Sequence, residues 1–132
     1  VGASSILLYA APLSPLVQPR NLLVGNVLGA TIGVCCRQIV AAVDPSLEYR
    51  WVAAAFAVSL TIMVMMISGS IHPPGGATCF LAVMSEATDQ TIPSLGFMYI
   101  LMPALYDAAI LGAVALIVNN VCRKMKYPVV WW

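Results

Sequence analysis

The residues best able to do chemistry sit in one run, SGSIHPPGGAT, residues 68–78. Its two prolines and two glycines end a helix and force irregular backbone. In a membrane, carbonyls and amides freed in this way cannot face lipid, since each unsatisfied group costs several kcal/mol. On that reading His72, Pro73, Pro74, Gly75 and Gly76 dip inward and line a recess. A helix restarting at about Ala77 then presents free amides and a positive dipole end to an anion or polar solute. Thr78 adds a hydroxyl as cap or ligand. A plain turn at the membrane surface is the competing interpretation, and spacing alone does not separate the two.

His72 is the only histidine, which removes any multi-histidine metal site. It serves equally well as a gate whose charge changes near neutral pH or as a cap holding the loop. The triplet Gly76-Ala77-Thr78 has a counterpart at the start of the chain, Gly2-Ala3-Ser4, and the run QPRN with Arg20 and Asn21 follows that first triplet. Arg20 either draws anions toward an entrance or sits among lipid headgroups. Asn26 offers a further amide. Asp107 lies inside a long apolar stretch, where a carboxylate is costly and counts as a functional candidate; it relays protons, pairs with Arg37, contacts a neighbouring subunit, or stays protonated. Arg37 itself snorkels toward an interface or meets substrate. Cys35, Cys36, Cys79 and Cys122 have no metal-binding spacing and read as apolar packing residues. No nucleophile–base pair is legible, so an enzyme is not expected, and neither is a cofactor.

The elements that must position these groups follow from composition. Hydrophobic residues make up 61% of the 132-residue chain and charged residues 8%, against about 25% charged in a soluble domain. Eleven charged side chains cannot form a polar skin, so lipid is the outer solvent and nucleic acid is excluded as a partner. Between Arg50 and Glu86 there is no charge, and residues 51–70 are long enough to span a bilayer. Two further spans are expected over about 21–43 and about 95–121, the last kinked at Pro103. Gly25, Gly29 and Gly33 repeat at four-residue spacing and mark a face for close helix packing.

The apolar stretches 5–11 and 79–85 are too short to cross alone and read as re-entrant half-helices. Each follows a Gly-Ala-hydroxyl triplet and precedes a loop and a span, which points to an internal repeat. The expected fold is therefore all-α: a transmembrane bundle of three full spans and two short re-entrant helices. If both short helices return to their own side, lysine and arginine divide five to one, with Arg20 apart from Arg37, Arg50, Arg123, Lys124 and Lys126. The acidic residues then fall as Glu86 and Asp89 beside Arg20, and Asp44 and Glu48 on the basic face. That face is the cytoplasm-like or stromal side. Tyr127, Trp131 and Trp132 suit an interfacial aromatic belt.

These blocks resemble one known family. WVAAAFAVSL and GSIHPPGGATCFLAV, with GASSILLYAAPLSPLVQPRNLLVGN at the start and Pro103, Asn119, Asn120, Tyr127 and Pro128 later, are similar to the HPP family of integral membrane proteins. The resemblance covers nearly the whole chain, as a single domain over residues 1–132. It implies four transmembrane helices, a transport role and, from plant members, nitrite movement at a plastid membrane. It also implies that a spanning helix precedes the GAS block, and a start at Val1 without methionine suits a processed or truncated product. Two departures stand out: Asn26 where relatives often carry histidine, and Asp107 where they carry a small residue. The expected function is a transporter or channel for a small anion such as nitrite, with Gly2–Ser4 and Gly76–Thr78 meeting around a pocket served by Asn21, Asn26, His72 and Thr78. The alternative is a non-transporting subunit that leans on neighbouring chains in a larger membrane complex.

Overall fold

A computed structural model describes residues 2–43, 46, 48–85, 96–122 and 125–131. Helix α1 covers Gly2–Ala10, and a single tight turn at Pro15–Val17 leads to α2, Pro19–Val43. Helix α3 is Arg50–Ser68 and α4 is Pro73–Met84. A wide, π-wound segment Ile100–Leu105 runs into α5, Tyr106–Ile117, which ends in another wide stretch, Val118–Cys122. Pro19–Val43, Arg50–Ser68 and Ile100–Val121 are each long and apolar enough to cross a membrane. The three spans expected from the charge gaps are thus present, accompanied by two short helices.

The last span is broken where expected. Met102 leaves helical geometry (φ −128°, ψ 118°) immediately before Pro103, because the proline ring crowds the residue before it out of the α region. Helix α3 stops at Gly69, whose φ of 64° is open to glycine at little cost.

Packing is built from small residues inside and large apolar ones outside. Ala54 and Ala57 of α3 meet Cys79 and Val83 of α4, and Ala30 and Val34 of α2 meet Ala82 with Tyr99 and Ala104. Phe56 is 67% exposed and Ile67 80%, a distribution suited to an apolar surround. Small interior residues let backbones approach where no hydrophobic effect drives helices together. Gly33 shows this: a Cβ there would lie 2.7 Å from the Cys79 carbonyl oxygen. At Gly29 it would fall inside the Gly75 carbonyl, and at Gly25 against the His72 side chain.

This glycine row fixes the direction of α4 and corrects the expected topology. Along α2, Gly25 faces His72, Gly29 faces Gly75 and Gly33 faces Cys79 and Ala82. Arg37 then reaches the Ser85 carbonyl at 2.6 Å and its hydroxyl at 2.8 Å. Helix α4 therefore runs parallel to α2, from the Gly25 level to the Arg37 level, and does not turn back as a re-entrant helix would. Its twelve residues rise about 18 Å, less than the hydrocarbon core, but α2 and α3 flank it, so it need not match lipid thickness alone.

The ends of the bundle follow. Arg20 donates to the Ser68 carbonyl at 2.7 Å, the Tyr127 hydroxyl to the Val17 carbonyl at 2.8 Å, and the Val129 amide to Gln18 Oε1 at 2.8 Å. Arg20 thus shares one end with the segment carrying Lys126, while Arg37 and Arg50 belong to the other. The five-to-one division expected for a returning α4 does not hold. Arg123, Lys124, Asp44, Glu86, Asp89 and Trp132 lie outside the described residues.

Tyr127 is also not part of an exposed belt. It is 3% exposed, and its backbone is paired with the Asn120 side chain. Burial, with Tyr9 nearby, pushes its hydroxyl up to about 12. The sign is that of a group favoured neutral: its contribution is complete below the ordinary value of 10.0 and is lost as pH rises through about 12. Tyr127→Phe is expected to cost about 1–2 kcal/mol and to flatten the fall in stability over that alkaline range, read by thermal unfolding in detergent.

Candidate functional site

His72 precedes the first turn of α4, and the two prolines occupy that turn. This corrects the expected restart at Ala77. Proline is tolerated at the first helical positions because its missing N–H would be unpaired there anyway. The irregular backbone is confined to the short stretch between Gly69 and His72. Pro73 and Pro74 offer no amide, and the Gly75 amide is bonded to the His72 carbonyl at 2.9 Å, so the free amides expected at this end are largely absent. Side chains dominate the polar chemistry here.

The His72 ring is fully buried and makes no capping bond to its own helix. Instead Nδ1 lies 2.8 Å from the Leu16 carbonyl and Nε2 lies 3.4 Å from Ser4 Oγ. A carbonyl only accepts, so Nδ1 carries the hydrogen; in the neutral ring Nε2 accepts from the Ser4 hydroxyl. Burial pushes the ring's pKa below its ordinary value, outweighing the opposite pull of the Leu16 bond. The histidine is a neutral latch joining α4 to α1 and to the turn after it.

Around Ser4 lies a cavity of about 180 Å³ between α1, α2, α4 and α5. Its polar lining is Ser4, Asn26, Thr78, Tyr99 and Asp107. Thr78 Oγ1 is 3.0 Å from Asn26 Oδ1 and 3.1 Å from the Pro74 carbonyl. Asn26, 6% exposed, donates to the Leu22 carbonyl at 2.9 Å. The Tyr99 hydroxyl donates to the Thr78 carbonyl at 3.3 Å. The third residues of the two triplets, Ser4 and Thr78, therefore open onto one space, together with Asn26 and Asp107.

The other candidates sit elsewhere. Asn21 donates to the Pro15 carbonyl at 2.9 Å and, with Arg20, lines a different cavity of about 310 Å³ near Gln18, Gly69 and Trp131. Pro73, Gly76 and Ala77 line an apolar groove beside α3. Pro74 and Gly75 are buried against neighbouring helices, and Gly2 and Ala3 are exposed. Arg37 is engaged by Ser85 and makes no ion pair with Asp107 among the described residues. Tyr99 and the Leu16 carbonyl were not legible as members of the site; a tyrosine among apolar residues was the available signal for the first, and a backbone carbonyl leaves none.

The order of these groups along the chain, GAS, QPRN and HPPGGAT, is matched end to end. The family described as HPP, transmembrane region, matches residues 1–128. The chain belongs to the HPP transmembrane family. Two relatives from Dictyostelium discoideum, both named as transmembrane proteins, are 45% and 42% identical over 131 residues, 99% of this chain. The chain spans 40% and 44% of those proteins' lengths. No solved structure matches it. With its three apolar spans, this HPP chain is an integral membrane protein.

Proposed function

We propose that the chain is the core of a membrane transporter or channel for a small anion such as nitrite, with the cavity at Ser4, Asn26 and Thr78 on its path. One observation carries the reading: hydroxyls from two separate short helices open onto the same polar space inside an otherwise apolar bundle. A site of this kind is where polar groups are tolerated at membrane depth. The anion itself follows from the family resemblance, as does a plastid membrane, and no catalytic step is required.

The two short helices belong to an inverted repeat in this reading. One unit is α1 with α2; the other is α4 with the span Ile100–Val121. In support, α4 lies parallel to α2, and α1 lies parallel to α5, with Ser4 near Asp107 and Ala108 and Leu8 near Ala115 and Asn119. Each short helix thus packs along the other unit's long one, as in transporters built from inverted repeats.

The test is uptake of sodium nitrite by liposomes carrying the full-length protein. Saturable uptake above protein-free vesicles is expected, reduced at least tenfold in Thr78→Ala. No flux, with alanine at His72 and Thr78 making no difference, removes the transport reading.

A second reading has its own observation. An apolar groove of about 560 Å³, lined by Val58, Ile62, Met65, Ile71, Pro73 and Phe80 among others, would accept side chains of another copy or of a neighbouring membrane subunit. Stoichiometric partners retained through gentle solubilisation favour a structural role in a complex; a lone chain weakens it.

A further inference from the structure

We infer that an anion occupies the Ser4–Asn26–Thr78 cavity only together with a proton held on Asp107, so that the solute crosses as an anion–proton pair. The inference rests on the small-anion reading and names how that site is coupled.

The cavity offers a negative charge little support. Its lining contains a carboxylate, Asp107, and, among the described residues, no lysine, arginine or histidine. The remaining polar groups are largely committed. The Ser4 hydroxyl serves His72, the Thr78 hydroxyl serves Asn26 and Pro74, and the Tyr99 hydroxyl serves the Thr78 carbonyl. An anion in this cavity of about 180 Å³ shares it with Asp107, one of its lining residues. Two like charges about 5 Å apart in a protein interior repel enough to weaken binding on the order of a hundredfold or more.

Among the described residues no positive group lines this cavity. On α1 the facing group is Ser4, on α2 Asn26, on α4 Thr78, and ahead of α5 the phenol of Tyr99, the one other titratable group in the lining among the described residues. Arg37 reaches Ser85 at the far end of α4, and Arg20 reaches Ser68 at the opposite end. His72 stands behind Ser4 with Nδ1 held on Leu16. Cys79 belongs to the other face of α4, against Ala54 and Ala57.

One proton resolves the conflict. It is taken from the water on the side from which the anion enters and bonds to a carboxylate oxygen of Asp107. The carboxyl O–H then donates a hydrogen bond to the anion. Net charge in the cavity is minus one before and after, so repulsion becomes a charge-assisted hydrogen bond. On release the anion and the proton leave together. Since each binding event consumes one proton, apparent affinity is expected to rise as pH falls.

The experiment adds sodium nitrite to unbuffered full-length protein in lipid nanodiscs and counts the protons absorbed. Wild type is expected to take up one proton per nitrite bound, and Asp107→Asn to bind nitrite with none. In liposomes, an inside-alkaline gradient of one pH unit should speed wild-type uptake about tenfold beyond protein-free vesicles, and the variant should ignore the gradient. If Asp107→Asn does not fold, proton counting and the pH dependence of affinity on wild type alone decide the matter. Nitrite bound without proton uptake overturns the coupling and leaves the anion reading standing. Absence of both nitrite binding and flux overturns both.

Discussion

Gly29→Ala should cost about 3 kcal/mol or more and leave little folded protein after heating in detergent. The new methyl would fall inside the Gly75 carbonyl, which is backbone and cannot swing aside like a flexible side chain. Helix α4 would have to move off α2, losing the contacts at Gly25 and Gly33 and the Arg37–Ser85 bonds that follow along the same seam. Overpacking of a close interface usually costs 1–3 kcal/mol, and rigid neighbours place this site at the upper end. Gly76→Ala is the matched control. Nothing lies within 4 Å of a Cβ there, and alanine in place of a helical glycine contributes up to about 1 kcal/mol. Equal thermal stability of the two variants would refute the packing described for α2 and α4.

His72→Ala should be the most damaging change among the polar residues, costing about 2–4 kcal/mol. It leaves the Leu16 carbonyl without its 2.8 Å partner and opens a void where a fully buried ring stood. An unpaired buried acceptor and a cavity are separate penalties that add. Ser4→Ala removes only the longer 3.4 Å contact and should cost less than about 1 kcal/mol. Thermal unfolding in detergent ranks the two. A Ser4 variant as unstable as the His72 variant would mean that the latch is held from α1 and not from the turn after it.

Much of this architecture is visible in the residues before any coordinates. Charge-free gaps gave away the three spans, because an uninterrupted apolar length near 30 Å has few other uses. The row Gly25, Gly29, Gly33 announced a close approach. What they approach was not visible. Hydropathy judges a short apolar run against lipid thickness, whereas α4 is flanked by two longer helices and is free of that requirement. The Pro-Pro pair looked like broken backbone because proline breaks helix interiors, yet at the first turn it begins one. Tyr127 looked like a belt residue because aromatic type carries no information about a partner 110 positions away. Asn26 and Thr78, singled out by type, line one cavity, while Asn21 lines another and its side chain points back to Pro15.

Transport through this bundle requires water to reach the polar space shared by the two short helices. Its most direct test is the reactivity of Ser4→Cys and Thr78→Cys, each in full-length protein whose native cysteines are replaced by alanine, toward a small charged thiol reagent in intact liposomes. Both should react from water and be slowed by nitrite, while Phe56→Cys on the exposed apolar face of α3 should not react. Silence at both cavity positions, or reaction no faster than at Phe56, would contradict it.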